Sequence, residues 1–131
     1  LTKKITDFWA AFLSNLPKYN ESIEKNVSEQ IDSFQRLIQK FKNRGGRIIF
    51  VRHKAEKQWF EPLNDFMPRE KVYDRFIRTV DCPSYHFQDH AFMQKYTLPD
   101  WSHMASGDAV SYTRDLVNKM IEDGHLQRPP N

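Results

Sequence analysis

The sequence predicts an α/β fold built on a parallel sheet that is incomplete in this chain. Three observations lead there. Arg47-Ile48-Ile49-Phe50-Val51-Arg52 is a continuous apolar run bracketed by charge, partly β-branched, as in a strand buried on both faces. Segments of helical period surround it and a second short strand, in the order helix, helix, strand, helix, strand, helix. Two strands alone make a marginal sheet, so further strands are expected from upstream sequence or from another chain.

The elements follow in order. Ile5, Phe8, Trp9, Phe12, Leu13 and Leu16 recur at helical spacing and stop at Pro17, so residues 1–19 form an amphipathic helix with an aromatic face. That face either packs against the missing part of the domain or, with Lys3 and Lys4, lies on a membrane surface. Asn20 is placed to cap a long helix whose stripe is Ile23, Val27, Ile31, Phe34, Ile38 and Phe41, and Gly45-Gly46 ends it. From His53 to Met67 no period is visible and Pro62 interrupts, which predicts a long loop leaving the carboxyl end of the strand. Pro68 suits the first position of a helix that turns Val72, Phe76, Ile77 and Val80 inward and stops at Cys82-Pro83. Ser84-Tyr85-His86-Phe87 reads as the second strand, and a second loop runs from Gln88 to Pro99. Ser106 is placed to cap a last helix with Ala109, Thr113, Leu116, Val117, Met120 and Ile121 inward, ending at Gly124. Residues 20–125 thus form the α/β portion, and 126–131 a frayed tail.

Composition narrows the functional classes. The 131 residues are 39% hydrophobic and 14% aromatic, enough for one domain with a core. A formal charge of +3 is spread in mixed sign rather than gathered in a basic stripe, which argues against a nucleic-acid partner. The single cysteine, Cys82, excludes a disulfide framework and reads as a small filler beside Pro83. No apolar run reaches the roughly 20 residues of a membrane span, so membrane contact is expected only through an upstream anchor. The first residue is Leu1 rather than methionine, from which a start after processing or partway through a longer product is expected.

The chemistry concentrates in Asp100-Trp101-Ser102-His103, an Asp-x-x-His just ahead of the last helix. A serine hydroxyl is a weak nucleophile until a histidine takes its proton, and a carboxylate that fixes the imidazole tautomer makes that histidine effective. Asp100 and His103 have the types and spacing for that pair, yet no upstream residue has the setting of the serine. The plainer alternative makes Asp100 a turn cap and His103 a surface residue. Arg52, at the carboxyl end of its strand, is a candidate to bind an anionic or carbonyl group of a substrate, or else to pair with Glu56. Asp89 is a candidate to support the site from the second loop, or else a turn residue. Arg69 opposes a helix dipole and needs a compensating partner. His86, His90 and His103, with Asp89 or Asp100, offer a zinc alternative if they converge.

Gly46-Arg47-Ile48-Ile49-Phe50-Val51-Arg52, Met67-Pro68-Arg69, Tyr85-His86-Phe87-Gln88-Asp89 and Leu98-Pro99-Asp100-Trp101-Ser102-His103, in that order, together resemble the C-terminal half of an SGNH/GDSL-type hydrolase, nearest to envelope-associated bacterial members. The likeness covers about residues 28–123. It implies part of a flavodoxin-like three-layer sandwich and a serine esterase or O-acyltransferase acting without a cofactor on an ester of a cell-envelope carbohydrate or lipid, in the envelope or periplasm. His103 matches the general base and Asp100 the residue that orients it. The Gly-Asp-Ser segment is missing, and Gly107-Asp108-Ala109 does not replace it, because its third residue is alanine and it opens a helix. The chain alone is therefore expected to be inactive and, with open strand edges, to self-associate. A non-catalytic binding or assembly domain on the same fold is the alternative.

Overall fold

The longest helix begins where its cap predicts. In the computed structural model, which describes residues 2–128, the Asn20 side-chain oxygen accepts the N–H groups of Ser22 and Ile23 at 3.0 and 3.1 Å. The helix it opens, α2 (Glu21–Lys42), follows α1 (Thr2–Ser14) and turns Val27, Ile31 and Ile38 inward. Gly45 (φ 81°) makes the turn that follows, and the Phe41 ring lies over Gly46, where any Cβ would collide with it at 2.2 Å.

Two strands then pair in parallel: β1 (Phe50–Arg52) with β2 (Ser84–His86), in the register Phe50 to Ser84, Val51 to Tyr85 and Arg52 to His86. The expected six-residue strand is thus only three residues long, and its side chains are half-buried rather than enclosed. A strand is as long as its hydrogen-bonded partner allows, and β2 offers three residues.

The loop expected after β1 contains a helix, α3 (Lys57–Phe66), with Pro62 inside it. Trp59, Phe60, Leu63 and Phe66 have helical spacing, and the helix is held by long-range contacts: the Trp59 ring meets Trp9 of α1 edge to face at 4.6 Å, and Phe60 meets Phe87 at 5.2 Å. Pro62 removes one ladder hydrogen bond, a loss the packing outweighs. Pro68 opens a turn rather than a helix; α4 (Tyr73–Val80) starts five residues later and stops at Asp81, whose backbone is left-handed (φ 49°). Behind β2 lie a 3₁₀ turn (Phe87–Asp89), which takes Phe87 out of the expected strand, and α5 (Ala91–Gln94), which lies within the stretch expected to be a loop. The last helix, α6 (Ser106–Glu122), is preceded by Ala105, so Ser106 is its first residue and not its cap. Its buried face is Tyr112, Leu116 and Met120; Val117 is exposed.

Among the described residues the fold is therefore mixed, six α-helices and one small parallel sheet. The faces of that sheet are used differently. Val51 and Tyr85 point toward α6, into a core with Met93, Tyr96, Tyr112, Leu116 and Met120. Phe50, Arg52 and His86 point toward α4 and α2, where Phe76 of α4 stacks edge to face on Phe50 (5.0 Å) and on Phe34 of α2 (6.1 Å). Part of the α1 stripe is satisfied within the chain, Trp9 and Leu13 turning inward, while Phe8 and Phe12 remain exposed. No described helix is long and apolar enough to cross a membrane. The tail expected at 126–131 falls partly on residues 129–131, outside the described residues; the Leu126 N–H is tied to the Met120 carbonyl at 3.1 Å.

Candidate active site

Asp100 and His103 meet as their spacing predicts. Asp100 Oδ1 accepts the backbone N–H groups of His103 (2.8 Å) and Ser102 (3.2 Å), which closes a tight turn. The same turn swings the imidazole back, and His103 Nδ1 lies 2.8 Å from Asp100 Oδ2. Two lone pairs at that distance would repel, so Nδ1 carries the hydrogen and donates it, leaving Nε2 free to accept a proton. Burial acts to raise the Asp100 pKa, but the His103 N–H, the His103 ring and the Ser102 N–H prevail and hold it below the usual carboxylate value. The carboxylate is 18% exposed and the imidazole 74%, so the base is open to a partner or substrate.

Ser102 cannot serve as the missing nucleophile. Its Oγ stands 3.0 Å from His103 Nδ1, the nitrogen already committed to Asp100. A serine activated by this histidine has to approach Nε2.

The loop is anchored from β1. The Glu56 N–H donates to the Trp101 carbonyl at 2.9 Å, and the Glu56 carboxylate accepts the Leu98 N–H at 3.0 Å. Lys54 completes the tie, its ammonium 3.1 Å from Glu56, donating to the Tyr96 carbonyl at 2.5 Å and the Gln94 carbonyl at 3.1 Å. Leu98 is buried, Met104 packs on the α6 core, and Trp101 between them adopts φ 74°, a left-handed conformation that costs an aromatic residue on the order of 1–3 kcal/mol. Lys54 and the anchoring role of Glu56 escaped the sequence reading, which had only the proximity of both residues to the strand end as a signal. The same is true of His53, whose Nδ1 lies 2.8 Å from the Tyr112 hydroxyl on α6. Burial first, and Arg52 second, lower the His53 pKa, and burial pushes Tyr112 up to about 12.

The other two candidates lie apart from this pair. Glu56 is not the partner of Arg52, because Lys54 and Leu98 hold it; Arg52 instead lines a cavity of about 620 Å³ between the sheet, α2, α3 and α4, whose walls include none of residues 98–104. Asp89 is held by Arg69 through two hydrogen bonds of 2.9 and 2.6 Å, and that partner lowers its pKa. Arg69 also reaches Asp74 at 3.1 Å; because α4 begins only at Tyr73, Arg69 does not stand at a helix start, and the two carboxylates offset its partial burial instead. The histidines of the zinc alternative are not assembled: among the described residues no three metal-ligating side chains come together, and His86 is buried with Nδ1 accepting the Gln88 N–H at 3.2 Å.

No protein-family model matches this chain, and no curated protein or solved structure matches it either.

Proposed function

We propose that the chain is the C-terminal portion of an SGNH-type serine esterase or O-acyltransferase and supplies the Asp-x-x-His of its triad, in a flavodoxin-like three-layer sandwich completed by the serine-bearing segments. The observation that carries this reading is the 2.8 Å contact of Asp100 with His103 Nδ1, which leaves Nε2 free and open. In the reaction a serine hydroxyl attacks the ester carbonyl while Nε2 takes its proton. The departing alkoxide then receives that proton, and water or an acceptor hydroxyl releases the acyl group by the reverse steps. Asp100 holds the tautomer and offsets the imidazolium charge. Exposure of His103 suits an ester on a bulky envelope carbohydrate or lipid, the substrate class and location that the family resemblance implies.

A second reading, a binding or assembly domain on the same fold, is favoured by Asp100 Oδ1, which already has a structural task in capping the turn. Hydrolysis of p-nitrophenyl acetate by the full gene product separates the two. The enzyme reading expects His103→Ala and Asp100→Asn each to lower kcat by about 10³-fold or more with folding retained, and this chain alone to stay at background. Wild-type rates in both folded variants would establish the assembly reading instead.

A further inference from the structure

The chain leaves three related things unsatisfied on one side of β1. The first is the backbone edge. The Phe50 N–H donates to Pro83 beside β2 at 2.9 Å, so the Val51 amide, pointing the opposite way, faces an edge that no described strand occupies. The second is charge. Among the described residues no carboxylate acts on the Arg52 guanidinium, and burial lowers its pKa; beside it the Tyr73 hydroxyl is buried, with only Ser84 set to pair with it. Both line the apolar cavity under α2. The third is apolar surface, since Phe34, at the cavity wall, is 51% exposed and continues along α2 into exposed Leu37 and Phe41.

Topology says which side a neighbour must take. α4 carries the chain from β1 to β2 over the face that holds Phe50, and α2, packed on α4, enters β1 over that same face. Crossovers between parallel strands are right-handed in nearly all cases. With both helices on one face, successive strands advance in one direction, so the strand before α1 and α2 belongs beside β1, opposite β2.

We propose that a third strand, parallel to β1 and supplied by polypeptide upstream of α1 in the same gene product, docks on the free edge of β1, sends apolar side chains under α2 and presents a carboxylate to Arg52. This rests on the reading that the domain is completed from upstream and not on ester chemistry. A half-buried guanidinium in an apolar setting without an anion calls for one, and Asp or Glu on an inward strand position meets it.

Amide hydrogen exchange, compared between this chain and the full gene product, tests the strand. The Val51 amide is expected to exchange at least about 100-fold more slowly in the longer protein, with Phe50 protected in both as the internal control. Equal Val51 rates, or a gene product with no strand-forming segment upstream, would overturn the proposal. Protection that grows with protein concentration would overturn it too, because a second copy would then be the occupant. Arg52→Leu tests the carboxylate: the melting midpoint is expected to fall by about 5 °C or more in the full product and by no more than about 1 °C in this chain, with partial recovery in Arg52→Lys. Equal shifts in both proteins would sink the charge complement. A protected Val51 without esterase activity would sink the enzyme reading alone, and an exposed Val51 with a His103-dependent esterase would sink the strand alone.

Discussion

At the scale of single residues, His86 is a buried titratable group set between aromatic rings. It is 3% exposed, with Tyr73 at 4.8 Å and Phe87 stacked at 5.0 Å, and burial, followed by Arg69, lowers its pKa to about 4. The unfolded chain keeps a proton on this imidazole up to about pH 6.5, whereas the folded chain releases it above about 4. In that window the unfolded state binds more protons, so stability rises with pH and is lost as pH falls from 6.5 toward 4. The loss is on the order of 3 kcal/mol. Denaturant midpoints measured at pH 7 and pH 4.5 are expected to differ less in His86→Phe, which fits the aromatic site without a titration. An unchanged pH slope in that variant would assign the acid sensitivity to other groups. Asp100 and His103 were legible at this scale because a turn three residues long makes their contact. The partners of Arg69, 5 and 20 residues away, were not: the sequence requires an anion there without saying which one.

At the scale of elements, α2 depends on its first turn. Asn20 satisfies two of the N–H groups that a helix start leaves open, and Asn20→Ala is expected to cost about 1 kcal/mol, with Asn20→Gly costing only a few tenths. Urea unfolding of the three proteins measures this directly, and equal midpoints for all three would show that solvent replaces the cap without loss. α2 was legible because cap, stripe and terminating glycines are all local. α3 was not. A proline inside the segment argues against a helix when taken alone, and the contacts of Trp59 with Trp9 and of Phe60 with Phe87 that support it come from residues 50 and 27 positions away. Strand length failed for the same reason, since the apolar run Ile48–Val51 promises more strand than β2 can pair.

At the scale of the whole molecule, the α6 side of the sheet is closed, while both outer edges of the strand pair carry no further described strand. The α6 side encloses Tyr85 and Met93 fully, while Phe8, Phe12, Phe34, Leu37 and Phe41 remain exposed around α1 and α2. Apolar surface of this kind beside an open strand edge drives association. Sedimentation velocity of this chain is expected to show mass rising with concentration, and Phe34→Glu to weaken that trend. A strictly monomeric chain at all concentrations would mean that the exposed rings fold back on the molecule in solution.

By itself the sequence determined α2 with its cap, the two strands and the last helix in their order along the chain, and the meeting of Asp100 with His103, because each depends on residues within one turn or one stripe of each other. Only the tertiary structure decided that Glu56 and Lys54 anchor the Asp100 loop, that Arg69 occupies Asp89, and that Arg52 faces a cavity without an anion. Those pairings join residues far apart in the chain. Charge and size restrict the possible partners, but the packing of α2, α3 and α4 over a parallel strand pair selects among them.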